Sequence, residues 1–355
     1  MEYRAVVVTG PTSSSKTMIS IALASALGSE IISLDASQVY TDLEIGTGVP
    51  TENELRLVKH HLVKVYPPTV RVNAGRISES AFSITASLNK RGVIPIVVGS
   101  TWLYLKFYLY GCIQNFEDIE NLNPDFELLR SLDPEYASII NPHDHYRIKR
   151  ALSYILQTKK KYSDAHKQHN FSDLRVCPLA IALIWDRKKL HQRIEERCFR
   201  MLQSGLIEET KKSLSLYGSD AWGFKKSIGY KYFQQFLNRK LSLEGALNRM
   251  IKDTKRYAKQ QLSYIRLEPQ KRGWKSLPTE KDLDVSLKRQ SNYGIRCLCF
   301  NFSQLLRFIR DFDFKAPTIL YLDAEVLVKE LESYYPDNLA SFLKKHEDST
   351  KSARL

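Results

Sequence analysis

The chain has 355 residues, of which 43% are hydrophobic and 26% charged, a composition typical of soluble globular proteins. Its longest apolar runs, such as Val93–Val98 and Leu179–Trp185, fall far short of the roughly 20 residues that a membrane-spanning helix needs, so no membrane partner is expected. The five cysteines are scattered and odd in number, which argues against a disulfide framework and predicts a protein of the reducing cytoplasm.

The apolar pattern predicts strands and helices that alternate along the first half of the chain. Continuous apolar runs predict four strands, at Tyr3–Thr9, Glu30–Leu34, Gly92–Gly99 and Leu179–Trp185. Helical spacing predicts helices behind the first and third strands, at Lys16–Leu27, with Gly28 as its C-cap, and at Trp102–Tyr110. The predicted fold class is therefore α/β, with a parallel sheet flanked by helices.

The pattern changes twice along the chain, which predicts three parts. A polar, mostly helical stretch at 113–175 reads as an inserted helical subdomain, and residues 1–112 and 176–275 then form the core, helical from Lys188 to Arg266. Residues 276–355 are predicted to form a C-terminal extension of unknown role, with helical pieces near Phe302–Phe312 and Ala324–Tyr334.

The segment between the first strand and its helix carries the clearest chemical pattern. Backbone N–H groups and a helix N-terminus at such a place bind phosphate, so the segment is predicted to bind a diphosphate or nucleotide. A lysine here neutralises terminal phosphate oxygens, and the hydroxyl after it is a ligand for Mg²⁺. The alternative is a Ser-rich helix cap that binds nothing. The residues concerned are Gly10, Pro11, Thr12, Ser13, Ser14, Ser15, Lys16 and Thr17.

Two further polar residues follow predicted strands. Asp35 ends the second strand, where an open α/β sheet binds its ligands, and it could serve as a general base or simply cap the next helix. Thr101 follows the third strand and could contact a phosphate oxygen or likewise act as a cap. Because three strand ends supply polar residues to the same edge, a site is favoured. His60 and His61 are adjacent and lack an apparent third ligand, so they are predicted to be structural.

The net charge of +14 is concentrated in one half of the chain. Residues 187–272 carry 21 Lys and Arg against 8 Asp and Glu, and residues 143–175 carry 8 against 3. Any one basic run is usually a solvated helix face, but a concentrated surplus favours a polyanionic partner, most simply a nucleic acid. Aromatic residues within this half suit unstacked bases, although core packing explains each ring separately: Trp222, Tyr230, Tyr232 and Tyr264.

Taken together, the segments resemble the tRNA dimethylallyltransferase (tRNA isopentenyltransferase) family. The resemblance covers about residues 4–272, and its segments run in the family's order. They are GPTSSSKT at 10–17, SLDASQVY at 33–40, EIGTGVP at 44–50, HHL at 60–62, PIVVGSTWLYL at 95–105, NPHDHYRIKRAL at 141–152, the run WDRKKLHQRIEERCFRMLQSGLIEE at 185–209, SIGY at 227–230 and DTKRYAKQQLSYIR at 253–266.

The resemblance implies a P-loop NTPase-like fold and transfer of a dimethylallyl group from its diphosphate to the exocyclic amine of the adenosine beside the anticodon. It implies that Asp35 accepts a proton from, or orients, this amine, and that Thr101 bonds the bridging oxygen of the leaving group. It implies that Mg²⁺ binds near Thr17 and that the anticodon stem-loop of tRNA is the partner. The chain is expected to be a monomer. The residues matching family contacts to tRNA are Asp35, Ala36, Ser37, Gln38, Tyr146, Arg147, Ile148, Lys149, Arg150, Lys226, Thr254, Lys255, Arg256 and Lys259.

The chain departs from the family pattern at several positions. Ser15 stands where the loop usually has glycine, and at a left-handed position serine costs on the order of 1–2 kcal/mol. Ala36, Val49, Ser100 and Lys255 are also unusual. Three alternatives stay open at this point: a small-molecule kinase, a prenyltransferase that acts on free adenine nucleotides, and a tRNA-binding protein that has lost catalysis.

Overall fold

The computed structural model describes residues 3–277, 288–290 and 295–344, apart from residues 114, 115, 117, 170 and 172. It forms two compact units, one made of Met1–Leu109 with Arg175–Leu355 and the other of Tyr110–Leu174. The second unit coincides closely with the helical insert expected from the sequence.

The first unit is built on one sheet. Its strands are β1 (Tyr3–Thr9), β2 (Ile31–Ser33), β3 (His60–His61), β4 (Ile96–Val98), β5 (Val176–Ile184), β6 (Lys275–Leu277), β7 (Lys288–Gln290), β8 (Arg296–Leu298) and β9 (Thr318–Asp323). The order is β3-β2-β4-β1-β5-β9-β8-β7, and β6 also pairs with β9. Neighbouring strands are parallel except for β7 and β8. The predicted parallel sheet is confirmed.

Helices of the first unit cover the sheet and account for its apolar sequence, while the four helices between Phe126 and Gln168 belong to the second unit. The helices are α1 (Lys16–Leu27), α2 (Glu44–Thr47), α3 (Glu52–Leu57), α4 (Ala74–Lys90), α5 (Trp102–Tyr110), α6 (Phe126–Leu132), α7 (Pro134–Ile139), α8 (His145–Thr158), α9 (Tyr162–Gln168), α10 (Arg187–Gln203), α11 (Leu206–Tyr217), α12 (Trp222–Lys226), α13 (Tyr230–Leu237), α14 (Leu243–Lys271), α15 (Phe302–Asp311) and α16 (Ala324–Glu332). All nine residues of β5 are buried, since the strand is covered on both faces. Within the described residues, none of these helices is both long and apolar enough to cross a bilayer.

The strands β6 to β9, from Lys275 onward, belong to the same sheet. β9 pairs with β5 from Leu179 opposite Thr318 to Ile184 opposite Asp323, and all six β9 residues are buried. The apolar strand β9 is therefore part of the core sheet and does not form a separate sheet. The predicted helices near Phe302–Phe312 and Ala324–Tyr334 are confirmed as α15 and α16.

The second unit has its own small apolar core. α6, α7, α8 and α9 enclose buried residues that include Leu129, Ile148 and Leu152. Asp133 is fully buried, and its carboxylate accepts the N–H groups of Tyr136 at 3.1 Å and Ser163 at 2.7 Å. One side chain thereby caps α7 and bonds the first turn of α9, which fixes these two helices relative to each other.

Candidate active site

The turn from β1 into α1 is formed by the predicted diphosphate-binding segment. Gly10 has a φ of 154°, and a Cβ there would lie 3.0 Å from the carbonyl oxygen of Leu183, so the close approach of β5 requires glycine. Ser13 and Ser15 both have a φ of 64°. This left-handed conformation costs a residue other than glycine on the order of 1–2 kcal/mol, as expected for Ser15 from the sequence. The loop is thus a strained, tightly wound turn.

Lys16 lies inside this turn. Its Nζ donates hydrogen bonds to the carbonyl oxygens of Gly10 at 3.1 Å and Pro11 at 2.8 Å. Burial, with a smaller contribution from the charge of Arg197, lowers the pKa of Lys16 to about 7, while the carboxylate of Asp35 opposes the shift. A buried ammonium so easily deprotonated is stabilised by an anion brought next to it.

Two arginines of α10 contact the loop from the other side. Arg197 donates to the hydroxyl of Thr12 at 2.8 Å, and burial lowers the pKa of its guanidinium. Arg193 donates through Nε to the carbonyl oxygen of Ser13 at 3.2 Å and through Nη2 to the hydroxyl of Ser15 at 2.6 Å. Neither arginine was predicted from the sequence as a site residue, although both lie in the segment 185–209 that resembles the family. Their i, i+4 spacing on a predicted helix was the available signal.

Two buried loop hydroxyls lack a protein partner among the described residues. They belong to Ser13 and Ser14, and neither makes a hydrogen bond there. Buried hydroxyls are normally hydrogen-bonded, so an anionic ligand with several acceptor oxygens would satisfy both groups. Together with Lys16 and the two arginines, the loop fits a phosphate or diphosphate.

Asp35 follows β2 at the same edge of the sheet. Its Oδ1 accepts the N–H of Ser37 at 2.8 Å, the hydroxyl of Ser37 at 2.6 Å and the N–H of Gln38 at 3.2 Å. The side chain therefore fixes a turn and does not cap a helix, since the next helix, α2, begins only at Glu44. Asp35 is also half-buried beside the cationic loop. Gln38 is engaged at both ends of its amide, since it accepts from Ser33 at 3.1 Å and donates to the Gly48 carbonyl at 2.8 Å.

Thr101 follows β4, which lies between β2 and β1 in the sheet. Its hydroxyl is 3.2 Å from that of Tyr257 on α14. Burial and the nearby charge of Asp35 raise the pKa of Tyr257. Gln261, one turn further along α14, accepts the N–H of Thr12 at 2.8 Å and donates to the hydroxyl of Ser100 at 2.8 Å. α14 thus links the loop to the end of β4, so the three predicted strand ends lie at one edge.

Comparison with known proteins identifies the relatives of this chain. The model of the IPP transferase family matches residues 38–268, a range that begins after the loop and Asp35 and so does not depend on them. tRNA dimethylallyltransferase 1 of Citrifermentans bemidjiense is 35% identical over 278 residues, which cover 74% of this chain and 89% of the relative. The tRNA dimethylallyltransferase of Desulfosudis oleivorans is 35% identical over 310 residues, 82% of this chain and 97% of the relative. The chain belongs to the IPP transferase family.

Solved structures agree with this assignment. The tRNA delta(2)-isopentenylpyrophosphate transferase of Staphylococcus epidermidis is 31% identical, with a TM-score of 0.56, over 74% of this chain and 90% of that one. A eukaryotic dimethylallyltransferase, described as acting on tRNA, is 27% identical with a TM-score of 0.68, over 77% of this chain and 72% of that one. The fold of this family member is accordingly P-loop NTPase-like.

The residues of the first unit that were predicted to contact tRNA differ in their exposure and in their bonding partners. Arg256 and Lys259 are exposed on α14, and Lys226 is exposed with its Nζ 4.6 Å from the centre of the Trp222 ring. Lys255 pairs with Glu195, and Thr254 donates within its own helix to the Met250 carbonyl at 2.7 Å. Ala36 and Ser37 lie on the Asp35 turn. Of the four aromatic residues, Tyr264 is exposed, whereas Tyr230 is fully buried and unavailable to a base.

The predicted contacts in the insert lie on α8. Tyr146 and Arg147 are exposed at its first turn, and Lys149 bonds the carbonyl of Glu120. Arg150 pairs with Asp118 at 3.2 Å and lies over the Phe116 ring. Ile148 is fully buried in the core of the insert, so the prediction fails for that side chain because an apolar residue at this helix position packs inward.

No group of three or more His, Cys, Asp or Glu residues that could hold a metal occurs in the part of the chain that the structure describes. A divalent cation at the predicted position would therefore depend on Thr17 and on ligand oxygens, which is how Mg²⁺ often binds beside phosphates. The adjacent histidines make structural contacts: His60 with the Val58 carbonyl at 2.8 Å, and His61 with Glu30 at 2.6 Å.

Proposed function

We propose that this protein is a tRNA dimethylallyltransferase that transfers a dimethylallyl group from dimethylallyl diphosphate to the exocyclic amine of the adenosine beside the anticodon. Family membership supports the reaction, and relatives with this name cover most of the chain. The observation that carries the proposal is the meeting of a cationic loop, Asp35 and Thr101 at one edge of the sheet.

The loop residues 10–17 hold the diphosphate of the donor. Lys16 gains a partner for its buried ammonium, and the hydroxyls of Ser13 and Ser14 gain acceptors. Arg197 adds a second positive charge next to Lys16. Because diphosphate departs with negative charge, these fixed donors stabilise the transition state more than the bound donor, which is the main source of rate in such a site.

Mg²⁺ fits this arrangement. The hydroxyl of Thr17 at the start of α1 is a ligand type that the ion accepts, and the remaining positions would be filled by diphosphate oxygens and water. When bound, the ion neutralises charge on the leaving diphosphate.

The chemistry is a displacement at carbon. The adenosine amine forms a bond to the allylic carbon of the donor while the bond from that carbon to the diphosphate oxygen breaks, and the amine proton passes to the carboxylate of Asp35. Thr101 donates to the bridging oxygen in this proposal, which is supported by a Tyr257 hydroxyl 3.2 Å away that can donate to the Thr101 oxygen in turn. Holding amine, carbon and leaving group in line supplies much of the remaining rate.

The tRNA partner is the anticodon stem-loop, from which the target base must be taken out of its stack. In the first unit the exposed cations Arg256 and Lys259 on α14 supply contacts to the tRNA, and in the insert the exposed Tyr146 and Arg147 supply contacts of their own. We expect the enzyme to act as a monomer in the cytoplasm.

The test is a transfer assay with purified protein, labelled dimethylallyl diphosphate and a tRNA transcript. Digestion and mass spectrometry of the nucleosides should reveal isopentenyl-adenosine. The matched control is the same transcript with guanosine in place of the target adenosine, which should give none. Turnover of ATP without prenyl transfer would instead favour the small-molecule kinase, and product from free AMP but not from tRNA would favour a nucleotide prenyltransferase.

A further inference from the structure

Ser15 occupies a backbone position that favours glycine. Its φ of 64° and ψ of 28° place it in the left-handed region at the N-cap of α1, and its side chain makes no capping bond to the helix. Without support, a serine here shifts the loop towards other conformations, because the left-handed one is disfavoured for residues with a Cβ. The loop would then spend less time in the shape that accepts a diphosphate.

Arg193 supplies such support through two neighbouring bonds. Its Nη2 donates to the Ser15 hydroxyl at 2.6 Å and its Nε donates to the Ser13 carbonyl at 3.2 Å. These bonds join both left-handed serines to a single planar group of fixed geometry. A charged donor also makes a stronger hydrogen bond than a neutral one.

The guanidinium of Arg193 is itself held by two groups. Its Cζ lies 4.3 Å from the centre of the Trp185 ring, whose indole N–H donates to the Ser14 carbonyl at 3.4 Å. Its Nη1 pairs at 3.3 Å with Glu332, the last residue of α16. Among the described residues, Glu332 has no hydrogen bond or ion pair with the loop, so its bonded route to the loop runs through Arg193.

The helix that carries Glu332 is firmly placed. α16 starts directly after β9, which pairs with β5 along six residues, and Asp323 caps the helix by accepting the Glu325 N–H at 3.0 Å. A second ion pair, between Lys189 and Glu325 at 2.5 Å, joins α16 to α10 one turn before Arg193. The chain after residue 275 therefore presents Glu332 to α10 at a defined position.

We propose that Arg193 is a positioning residue that holds Ser13 and Ser15 in the left-handed conformation needed for diphosphate binding, and that Glu332 of the C-terminal segment keeps Arg193 in place. Through this relay the C-terminal segment sets the affinity of the loop for the donor and makes serine acceptable at position 15. The inference rests on the proposed donor site.

Electrostatics and positioning predict opposite results for Glu332→Gln. Removing a negative charge near an anion site should tighten binding of a diphosphate if only the charge matters. Loss of the anchor should instead weaken binding, and we expect the dissociation constant for inorganic pyrophosphate to rise roughly three- to tenfold. Calorimetry with the full chain measures this constant without requiring catalysis, and steady-state assays should show a raised KM for dimethylallyl diphosphate with kcat almost unchanged.

Two further variants separate positioning from a general structural role. Glu325→Gln removes the same charge from the same helix, at a residue that pairs with Lys189 and Lys329. Pyrophosphate affinity should therefore stay within about twofold of the parent, even if thermal stability falls. Ser15→Gly removes the need for support, so adding Glu332→Gln to that background should change affinity less than it does in the parent.

The relay is refuted if Glu332→Gln binds pyrophosphate as tightly as the parent or more tightly. It is also refuted if the loss is the same in the Ser15→Gly background, or if Glu325→Gln causes an equal loss. A folded parent protein that binds no pyrophosphate would overturn the donor site itself, and the relay with it.

Discussion

Charged side chains at the two ends of the sheet lie in different surroundings, and their pKa values shift for different reasons. At the amino end, the carboxylate of Glu30 binds Arg91 at 2.8 Å, His61 at 2.6 Å and Lys59 at 3.2 Å. Burial alone would raise the pKa of Glu30, but these hydrogen bonds outweigh it and lower the pKa to about 2.

At the carboxyl end, Lys16 and Arg197 are brought together out of water, and the pKa of Lys16 falls to about 7. Around Glu30 the cations stay in water, with Lys59 63% and Arg91 56% exposed, so this cluster stabilises the fold without needing a ligand. Lys16 and Arg197 are desolvated, so their positive charge is one that an anionic ligand would satisfy. Desolvation of the cations therefore distinguishes the functional site from the stabilising cluster, although both have several charged residues.

The largest expected effect comes from Asp35 at the carboxyl end. Asp35→Ala should lower kcat by about 10²–10⁴-fold, the usual contribution of a general base, while tRNA affinity changes little. Single-turnover transfer measured with saturating donor and tRNA tests this. The matched variant is Asp35→Asn, which keeps an oxygen to accept the N–H groups of Ser37 and Gln38. Full activity in Asp35→Asn would show that the residue only shapes the turn.

The second-largest effect concerns Lys16, whose pKa of about 7 predicts how the affinity for the donor changes with pH. Below pH 7 the free protein already carries the protonated lysine, so donor binding takes up no proton there. Above pH 7 the lysine must gain a proton as the anion binds, and affinity should fall by up to about tenfold per pH unit until the pKa of the complex is reached.

Lys16→Met should bind the donor roughly 10- to 100-fold more weakly at pH 7, because a hydrogen bond to a charged group is lost. Calorimetry from pH 7 to 9 should also show that the dissociation constant of this variant for the donor no longer changes with pH. An unchanged slope in Lys16→Met would assign the titration to another group.

A smaller effect is expected for single cations on α14. Arg256→Ala and Lys259→Ala should each weaken tRNA binding several-fold and reduce the slope of log affinity against log salt by about 1 if each neutralises one phosphate. Filter binding across a salt series measures the slope. Lys90→Ala is the control, because this exposed lysine ends α4, near the amino end of the sheet. An equal loss in the control would mean that the net charge, and not the site, governs binding.

The smallest effect is expected at the amino end of the sheet, at Glu30. Glu30→Gln should lower the free energy of unfolding by about 1 kcal/mol at pH 7, since its partners are largely exposed, and leave transfer activity unchanged. Because the folded pKa of Glu30 lies below its unfolded value, this stability is present above about pH 4.5 and is lost as the pH falls through 2. Urea titrations at several pH values measure the difference in free energy of unfolding between the parent and Glu30→Gln, and this difference should vanish at about pH 2.

Much of the fold could be predicted because its signals are local. The strand Tyr3–Thr9 and the helices Lys16–Leu27 and Trp102–Tyr110 have the predicted bounds, and Gly28 is the predicted C-cap. The strand predicted at Gly92–Gly99 shrinks to Ile96–Val98, since ladder pairing and not apolar character sets its ends. The segment Thr318–Asp323 was not recognised as a strand, because a short apolar run shows its pairing with β5 only when the chain is folded.

The loop, its lysine and the positions of Asp35 and Thr101 after strands could be predicted from the sequence, because motif spacing and strand ends are properties of consecutive residues. The distant side chains that complete the site are known only from the folded chain. Arg193, Arg197, Tyr257 and Gln261 reach the loop and the end of β4 from helices far along the chain, and Glu332 reaches Arg193 from the C-terminal segment. Such contacts depend on how helices pack on the sheet, which no local pattern of residues encodes.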